Sequence, residues 1–442
     1  MAAAHAPPAA VPAEGGSRRE SGVAMPSSLA GHAPDGRRGA AGGLAPGPLQ
    51  DLSQSPLCRP RRILQVLEAT IGGTKRHLYD LALGLRAAGW EVEVACPRVR
   101  DQAIGDISFW DDLRIARIPT HEVSMRRSPV AAANLRAVLR LAHLIRRERY
   151  PIVHAHSSIA GAVARTAALL SGRRPRIVYT PHGFAFLTPG SALRRGLFLG
   201  TEQALGRITD RLIALSPTEA QTALARKIVP AERLATIPNG IVSAETALPE
   251  RAALRQREGW GDGPIVGTVS RMTAQKDPGT WLRTAALVAQ ARPDVRFIWI
   301  WGGEQEREVR AMVRVLGLEG RVQFLGYRPD ARELMAAWDV FLLTSRFEGL
   351  VYSVIEALAA GTPVVATDVV GTRDIIRHGE TGLLAPAGDA AALAAAVLGL
   401  LADAAEARRL AEAGRRDVLA RFSVERMVAQ TAALYQALLA TA

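Results

Sequence analysis

Cysteine is scarce in this chain: only Cys58 and Cys96 occur in 442 residues. Neither has metal-type spacing, and two thiols in this length cannot form a disulfide framework, so a reducing compartment is expected. Long apolar runs are also missing. The longest Ala/Leu stretch, 390–402, ends at Asp403, short of the about 20 apolar residues a spanning helix needs. No apolar segment near the start resembles a signal peptide, so a cytoplasmic location is expected. Aromatics make up only 5%. Between His121 and Ser243 they number five, Tyr150, Tyr179, Phe184, Phe186 and Phe198. A single-strand nucleic-acid binder interleaves arginine with stacking aromatics, so no nucleic-acid partner is expected.

Acidic residues are sparse in that same stretch. It holds 18 Lys and Arg against six Asp and Glu, nearly the whole formal excess of +13. Such a surface suits a phosphorylated substrate or an anionic membrane, and it is equally compatible with solvated charge. A candidate membrane-facing segment is 134–149. It carries Arg136, Arg140, Arg146, Arg147 and Arg149 against Glu148 alone, with Leu135, Val138, Leu139, Leu141 and Leu144 as its apolar stripe.

Residues 1–56 hold 17 Gly and Pro with no aromatic and no Ile. They cannot bury enough apolar surface to offset ordering entropy, so a tail over 1–60 is expected to be disordered. Met25 offers a second possible start.

From Arg61 onward the pattern alternates. Apolar runs predict strands at 61–67, 91–95, 114–118, 152–155, 176–180 and 211–215, with helices such as 131–149 and 160–170 between them. After the turn signal Pro238-Asn239-Gly240, a second half predicts strands at 264–270, 295–301, 322–325, 340–343 and 363–366. Its helices are predicted at 278–291, 304–316, 350–360 and 387–402. Two such halves imply two doubly wound α/β domains, 61–245 and 246–421, with a last helix over 422–442 returning to the first. Ligands in such sheets bind beyond the carboxyl ends of strands.

Candidate site residues fall at those ends. Gly72-Gly73 sits between the first strand and its helix, where backbone can approach an anion at a helix N-terminus; a simple turn is the other reading. Arg271 and Lys276 follow the strand 264–270 and suit a diphosphate, Arg as a fork and Lys as a point charge; two solvated loop cations are the alternative. Glu348 ends the loop after 340–343, and Glu356 lies eight residues on, within an apolar helix. A carboxylate there is costly without hydrogen-bond donors, and ribose hydroxyls would serve. A capping Glu348 and a salt-bridged Glu356 are the other readings. His182 stands in Pro181-His182-Gly183. His154 and His156 alternate at a strand end and are expected on opposite sides, in structural roles. No cluster shows metal-ligand spacing.

The pattern Glu348, seven residues, Glu356, then Ala357-Leu358-Ala359-Ala360-Gly361-Thr362-Pro363-Val364-Val365-Ala366 resembles family 4 of the retaining glycosyltransferases. Gly72-Gly73, Thr180-Pro181-His182-Gly183, Ile237-Pro238-Asn239-Gly240 and Arg271 with Lys276 arrive in that family's order, and the resemblance covers roughly 61–439. It implies a GT-B fold, two Rossmann-like domains facing across a cleft. It also implies a nucleotide diphosphate sugar as donor substrate; no Asp-x-Asp site occurs and Arg271 and Lys276 can supply the charge of a magnesium ion, so no metal and no cofactor are expected. By the same resemblance Gly72, Gly73 and the backbone of Gly349, Leu350 and Val351 hold phosphate. Arg271 and Lys276 neutralise it, Glu348 binds the transferred sugar, Glu356 binds ribose, and His182 faces the reacting carbon. The wording Gly349-Leu350-Val351 departs from the family's usual Phe-Gly or Gly-Phe-Pro. The Thr-Pro-His-Gly-Phe stretch resembles polysaccharide-assembly members, implying a glycan or polyprenyl-linked acceptor and a peripheral place on the inner membrane face. A nucleotide-sugar epimerase on the same scaffold is the rival enzyme.

Overall fold

A computed structural model describes residues 61–99, 108–126, 131–188, 190–242 and 249–441; the expected tail over 1–60, Met25 and Cys58 lie outside them. Cys96 is a buried free thiol.

Two all-parallel sheets carry the chain. The first contains β1 (Arg62–Leu67), β2 (Glu91–Cys96), β3 (Thr120–Glu122), β4 (Ile152–His156), β5 (Arg176–Thr180), β6 (Arg211–Ala214) and β7 (Leu234–Thr236), in spatial order β3-β2-β1-β4-β5-β6-β7. The second contains β8 (Ile265–Val269), β9 (Arg296–Ile300), β10 (Val322–Gly326), β11 (Val340–Leu343), β12 (Val364–Thr367) and β13 (Leu383–Ala385), in order β10-β9-β8-β11-β12-β13. Both reverse direction beside their first strand, which is the topological switch where α/β sheets bind ligands. The central strands are near-continuous apolar runs because helices cover both faces. Ile63, Leu64, Val66 and Leu67 are all fully buried.

The expected strand over 114–118 is not there. Its first two residues end the helix Ser108–Ile115, and the edge strand comes later as β3. Phe109 and Leu113, four apart, face the core, while Ile115 is 76% exposed, so the helical period outweighs the local β-branched content. The short strands β7 and β13 carried too little periodicity to be read.

After the helix Ala404–Arg421 the chain crosses back. Ile241 bridges to Ser423, and the helix Val424–Ala440 packs on the helix Gly73–Ala87 of the first domain. Met427, Val428, Tyr435 and Leu438 join the core beneath Leu78, Leu81 and Leu85. Among the described residues no single helix is long and apolar enough to cross a membrane.

The basic helix is Ala132–Glu148. Its expected apolar stripe divides. Val138, Leu141 and Leu144 turn into the core, whereas Leu135 and Leu139 remain 65% and 59% exposed beside exposed Arg136 and Arg140. Residues 138, 141 and 144–145 follow the helical period that faces the sheet, and 135 and 139 fall on the opposite side.

Candidate active site

A cleft of about 1020 Å³ runs between the carboxyl edges of the two sheets, and all ten residues singled out from the sequence line it. On the first-domain side, Gly72 takes φ 75°, ψ −151°, a backbone state open essentially to glycine alone. A Cβ on Gly73 would lie 2.9 Å from the Tyr352 ring of the other domain, so this glycine permits the two walls to meet. The first helical bond runs from Arg76 N–H to the Gly72 carbonyl. The amides of Gly73, Thr74 and Lys75 therefore precede the helical ladder, at the positive end of the helix dipole.

His182 follows β5 with φ 53°, and Gly183 with φ 91°. Behind it lies a network the sequence did not disclose. His154 and His156 are two apart on β4 and so share a face; their rings are 4.1 Å apart, which overturns the expectation of opposite sides. Burial holds both well below the usual histidine pKa. His156 Nε2–H donates to Gln65 Oε1 at 2.7 Å, leaving its Nδ1 to accept from His182 Nε2–H at 3.1 Å. Gln65 and His154 in turn meet the Tyr435 hydroxyl, at 3.3 and 2.6 Å. The returning helix thus supports the site from below.

His77, on the helix Gly73–Ala87, donates from Nδ1 to Asn239 Oδ1 at 2.8 Å. Its burial lowers its pKa to about 4, and its Nε2 finds no partner. His77, His156 and His182 bring ligand nitrogens within 4.8 Å of one another. Three residues so far apart in sequence show no metal-type spacing, yet the fold assembles a trio that could hold a divalent ion. Asn239 of the Pro238-Asn239-Gly240 turn also donates to the Leu350 carbonyl across the cleft, at 3.4 Å.

The second domain contributes cations and carboxylates. Arg271 and Lys276 lie in the loop after β8. Lys276 Nζ forms a short ion pair with Glu348 Oε1, a carboxylate 7% exposed. Ser345 Oγ and Gln275 Nε2 also donate to Glu348, at 2.5 and 3.1 Å. Glu348 stands in the loop after β11, ahead of the helix Tyr352–Ala359, so it does not cap that helix. The β8 and β11 loops are joined further by Thr344 Oγ1 to the Lys276 carbonyl (2.9 Å) and Arg346 to Asp277 (3.0 Å).

Glu356 occupies the second turn of the helix Tyr352–Ala359. Burial raises its carboxyl pKa, opposed by Arg76 and Arg332. Its nearest cation is Arg76 of the first domain, at 3.4 Å, and that guanidinium holds Asp80 more closely, at 2.6 Å. Leu350 and Val351 line the cleft although both are buried.

Two supporting residues escaped sequence reasoning. Glu219 accepts from the amides of Gly183 (2.7 Å) and Leu215 (2.6 Å) and so fixes the His182 turn; burial pushes its carboxyl up to about 7. The signal was Ser216-Pro217-Thr218-Glu219, a helix-start pattern in which Ser216 Oγ accepts from Glu219 N–H at 3.1 Å. Gly371 backs the Glu348–Gly349 loop: a Cβ there would stand 1.7 Å from the Gly349 carbonyl oxygen. No motif marks it.

Comparison with known proteins agrees with this geometry. Residues 71–245 match the family model Glycosyltransferase Family 4, and 263–403 match Glycosyl transferases group 1. EpsD of Bacillus subtilis (strain 168), a protein assigned as a glycosyltransferase, is 31% identical over 355 residues, covering 79% of this chain and 90% of its own. The UDP-Gal:alpha-D-GlcNAc-diphosphoundecaprenol alpha-1,3-galactosyltransferase of Escherichia coli is 27% identical over 62% of this chain and 71% of its own. The crystal structure of Anabaena HepE in complex with UDP and glucose superposes with a TM-score of 0.72 at 26% identity, covering 85% of this chain and 99% of that one. The rival epimerase reading gains no support from them. With both α/β domains matched and a relative at 31% identity matched over 90% of its length, the chain belongs to family 4 of the GT-B glycosyltransferases.

Proposed function

We propose that this enzyme moves a hexose-type sugar from a nucleotide diphosphate sugar to a glycan or polyprenyl-linked acceptor, with retention at the anomeric carbon, in cell-surface polysaccharide assembly. One observation carries the reading. Arg271 and Lys276 after β8, with Glu348 and Glu356 after β11, open onto the same cleft as the helix N-terminus at Gly72-Gly73. The UDP and glucose in HepE and the UDP-Gal and diphosphoundecaprenol named for the Escherichia coli enzyme support donor and acceptor class.

In this reading the amides of Gly73 to Lys75 and of Gly349 to Val351 face the diphosphate. Arg271 and Lys276 offset the charge that grows on it as the glycosidic bond breaks, a preorganised electrostatic stabilisation. Glu348, already held by Lys276 and Ser345, takes hydroxyls of the transferred sugar, and Glu356 takes the ribose. His182 lies neutral against the reacting carbon, since burial holds its pKa well below the usual value. Two cations in place of a divalent ion make transfer metal-independent. The exposed Arg136, Arg140, Arg146 and Arg147 beside Leu135 and Leu139 bring the first domain to an anionic membrane, where a lipid-linked acceptor lies. The direct test is a thermal-shift panel of UDP, GDP, ADP and dTDP sugars. One of them raises the melting temperature, and a flat panel at millimolar donor contradicts the reading.

A further inference from the structure

Of the histidines gathered at the floor of the cleft, the transfer reading uses His182 alone. His154 has both ring nitrogens engaged by hydroxyls, Nδ1 at 2.6 Å from Tyr435 and Nε2 at 2.9 Å from Thr180. His77 is different. Its Nδ1–H donates to Asn239 Oδ1, and the orientation of that amide is set by the Nδ2 bond to the Leu350 carbonyl. The His77 proton therefore sits on Nδ1, and Nε2 carries a lone pair. That nitrogen is buried without a hydrogen-bond partner among the described residues, in a residue 3% exposed. A buried acceptor left unpaired is costly, and it calls for a partner.

His156 and His182 already aim nitrogens at one another. His156 spends Nε2–H on Gln65, and its Nδ1 stands 3.1 Å from His182 Nε2. In a tetrahedral site with zinc–nitrogen bonds of about 2.0–2.1 Å, neighbouring nitrogens are about 3.3–3.4 Å apart. The pair thus stands close to the spacing of two ligands on one ion. Ligand nitrogens of all three rings lie within 4.8 Å of one another, so closing the His77 ring by about 1.5 Å at most completes the set. The far sides of the rings are held as those of metal-bound histidines are. His77 and His156 each donate the other N–H to a side-chain amide oxygen, Asn239 and Gln65, which fixes tautomer and ring orientation. An all-imidazole donor set suits zinc, cobalt, nickel or copper, whereas magnesium, manganese and calcium favour oxygen.

We infer that His77, His156 and His182 form a zinc site at the floor of the cleft, and that zinc bound there inhibits transfer. When His182 Nε2 takes the ion, its proton passes to Nδ1 and the ring stays neutral. His182 lines the cleft, so the fourth position of the ion opens onto it. The inhibition rests on the role given to His182 above; the binding does not. A doubly charged ion in that place opposes the positive charge that grows on the reacting carbon, and it takes His182 out of the reaction. Zinc is here an inhibitor and not a cofactor.

The test uses the full chain, freed of metal by EDTA and dialysed. Zinc alone is titrated against a chelating dye into the wild type, His77→Asn and His156→Gln. Asparagine at 77 keeps a donor where Nδ1–H meets Asn239, and glutamine at 156 keeps one where Nε2–H meets Gln65, so each substitution removes the ligating nitrogen and spares the anchoring bond. The wild type should bind one zinc ion per chain with a Kd of about 10 µM or tighter, and each variant should bind it about a hundred-fold more weakly. Cobalt in place of zinc should give the visible bands of a tetrahedral nitrogen site in the wild type, without the charge-transfer band of a thiolate. Inhibition is read, for the wild type and His77→Asn, as the ratio of transfer rates with and without zinc. Micromolar zinc should slow the wild type at least ten-fold, EDTA should restore it, and His77→Asn should be insensitive at the same concentration. A wild type that binds no zinc at 100 µM, or variants that bind it as tightly as the wild type, overturn the site. Zinc bound at the trio with an unchanged transfer rate overturns the inhibition. A chain that binds zinc there and transfers sugar from no nucleotide sugar with or without EDTA keeps the site, and both the nucleotide-sugar reading and the inhibition fall.

Discussion

Removing the Glu356 carboxylate should cost donor affinity by an amount that the structure allows to be worked out. The group sits in the second turn of an apolar helix, with its nearest cation, Arg76, at 3.4 Å. A carboxylate has about four lone-pair sites, so it retains capacity for the two ribose hydroxyls. A hydrogen bond to a charged group contributes about 1.5–3 kcal/mol. Two at the lower value give about 3 kcal/mol, roughly a hundred-fold in Kd at about 1.4 kcal/mol per decade. Glu356→Gln keeps one acceptor oxygen and should lose about ten-fold by the same arithmetic. Calorimetry with UDP and 2′-deoxy-UDP reads this directly: the wild type discriminates between the two, and Glu356→Ala does not. The sign with pH also follows. Burial raises this carboxyl above its ordinary value, and the ionised form is the better acceptor. Affinity is therefore full above the raised pKa and falls as pH is lowered through it, earlier than for an exposed glutamate. A folded Glu356→Ala protein that binds UDP as the wild type does, with discrimination intact, refutes the assignment.

Three further outcomes are expected. Gly371→Ala must displace the Gly349 carbonyl, 1.7 Å from the new Cβ, so transfer rate falls at least ten-fold while circular dichroism stays native; a fully active variant shows that the Glu348 loop position is immaterial. Glu219 has a folded pKa near 7, raised above its unfolded value. Its contribution is therefore full below the ordinary glutamate value and is lost as pH rises from there through about 7, on the order of 3 kcal/mol in all. The melting-temperature difference between wild type and Glu219→Gln should shift against the wild type between pH 4.5 and 7.5, and a constant difference contradicts the shift. For the membrane surface, co-sedimentation with anionic vesicles should fall with salt and weaken when Arg146, Arg147 and Arg149 become Gln, each basic residue contributing about 1 kcal/mol. Equal sedimentation with neutral vesicles, or none at low salt, removes the membrane from the account.

Much of the architecture was legible because both sheets are parallel and buried on both faces. Their central strands read as unbroken apolar runs, and glycines and prolines punctuate the turns. Gly72-Gly73, Arg271, Lys276, Glu348 and Glu356 were visible because each follows such a strand, where the fold delivers side chains to one edge. What escaped depends on contacts distant in sequence. His77, His156 and His182 converge only when the helix Gly73–Ala87, the end of β4 and the turn after β5 come together, and no linear spacing encodes that. The error at His154 and His156 was one of strand geometry, since residues two apart share a face. Gly371 is invisible because its importance lies in the carbonyl it abuts. The division of the Leu135–Leu144 stripe shows the same limit: the sequence displayed apolar residues on the helix, but packing decided which of them met the sheet.

Product analysis tests metal-independent, retaining transfer most directly. The purified enzyme is incubated with a UDP-hexose and membrane extract in excess EDTA. The expected result is released UDP together with an acceptor heavier by one hexosyl residue, whose anomeric configuration by NMR matches that of the donor. An isomerised donor sugar with no mass added to any acceptor, activity that disappears in EDTA and returns with magnesium or manganese, or an inverted anomer would each contradict metal-independent, retaining transfer.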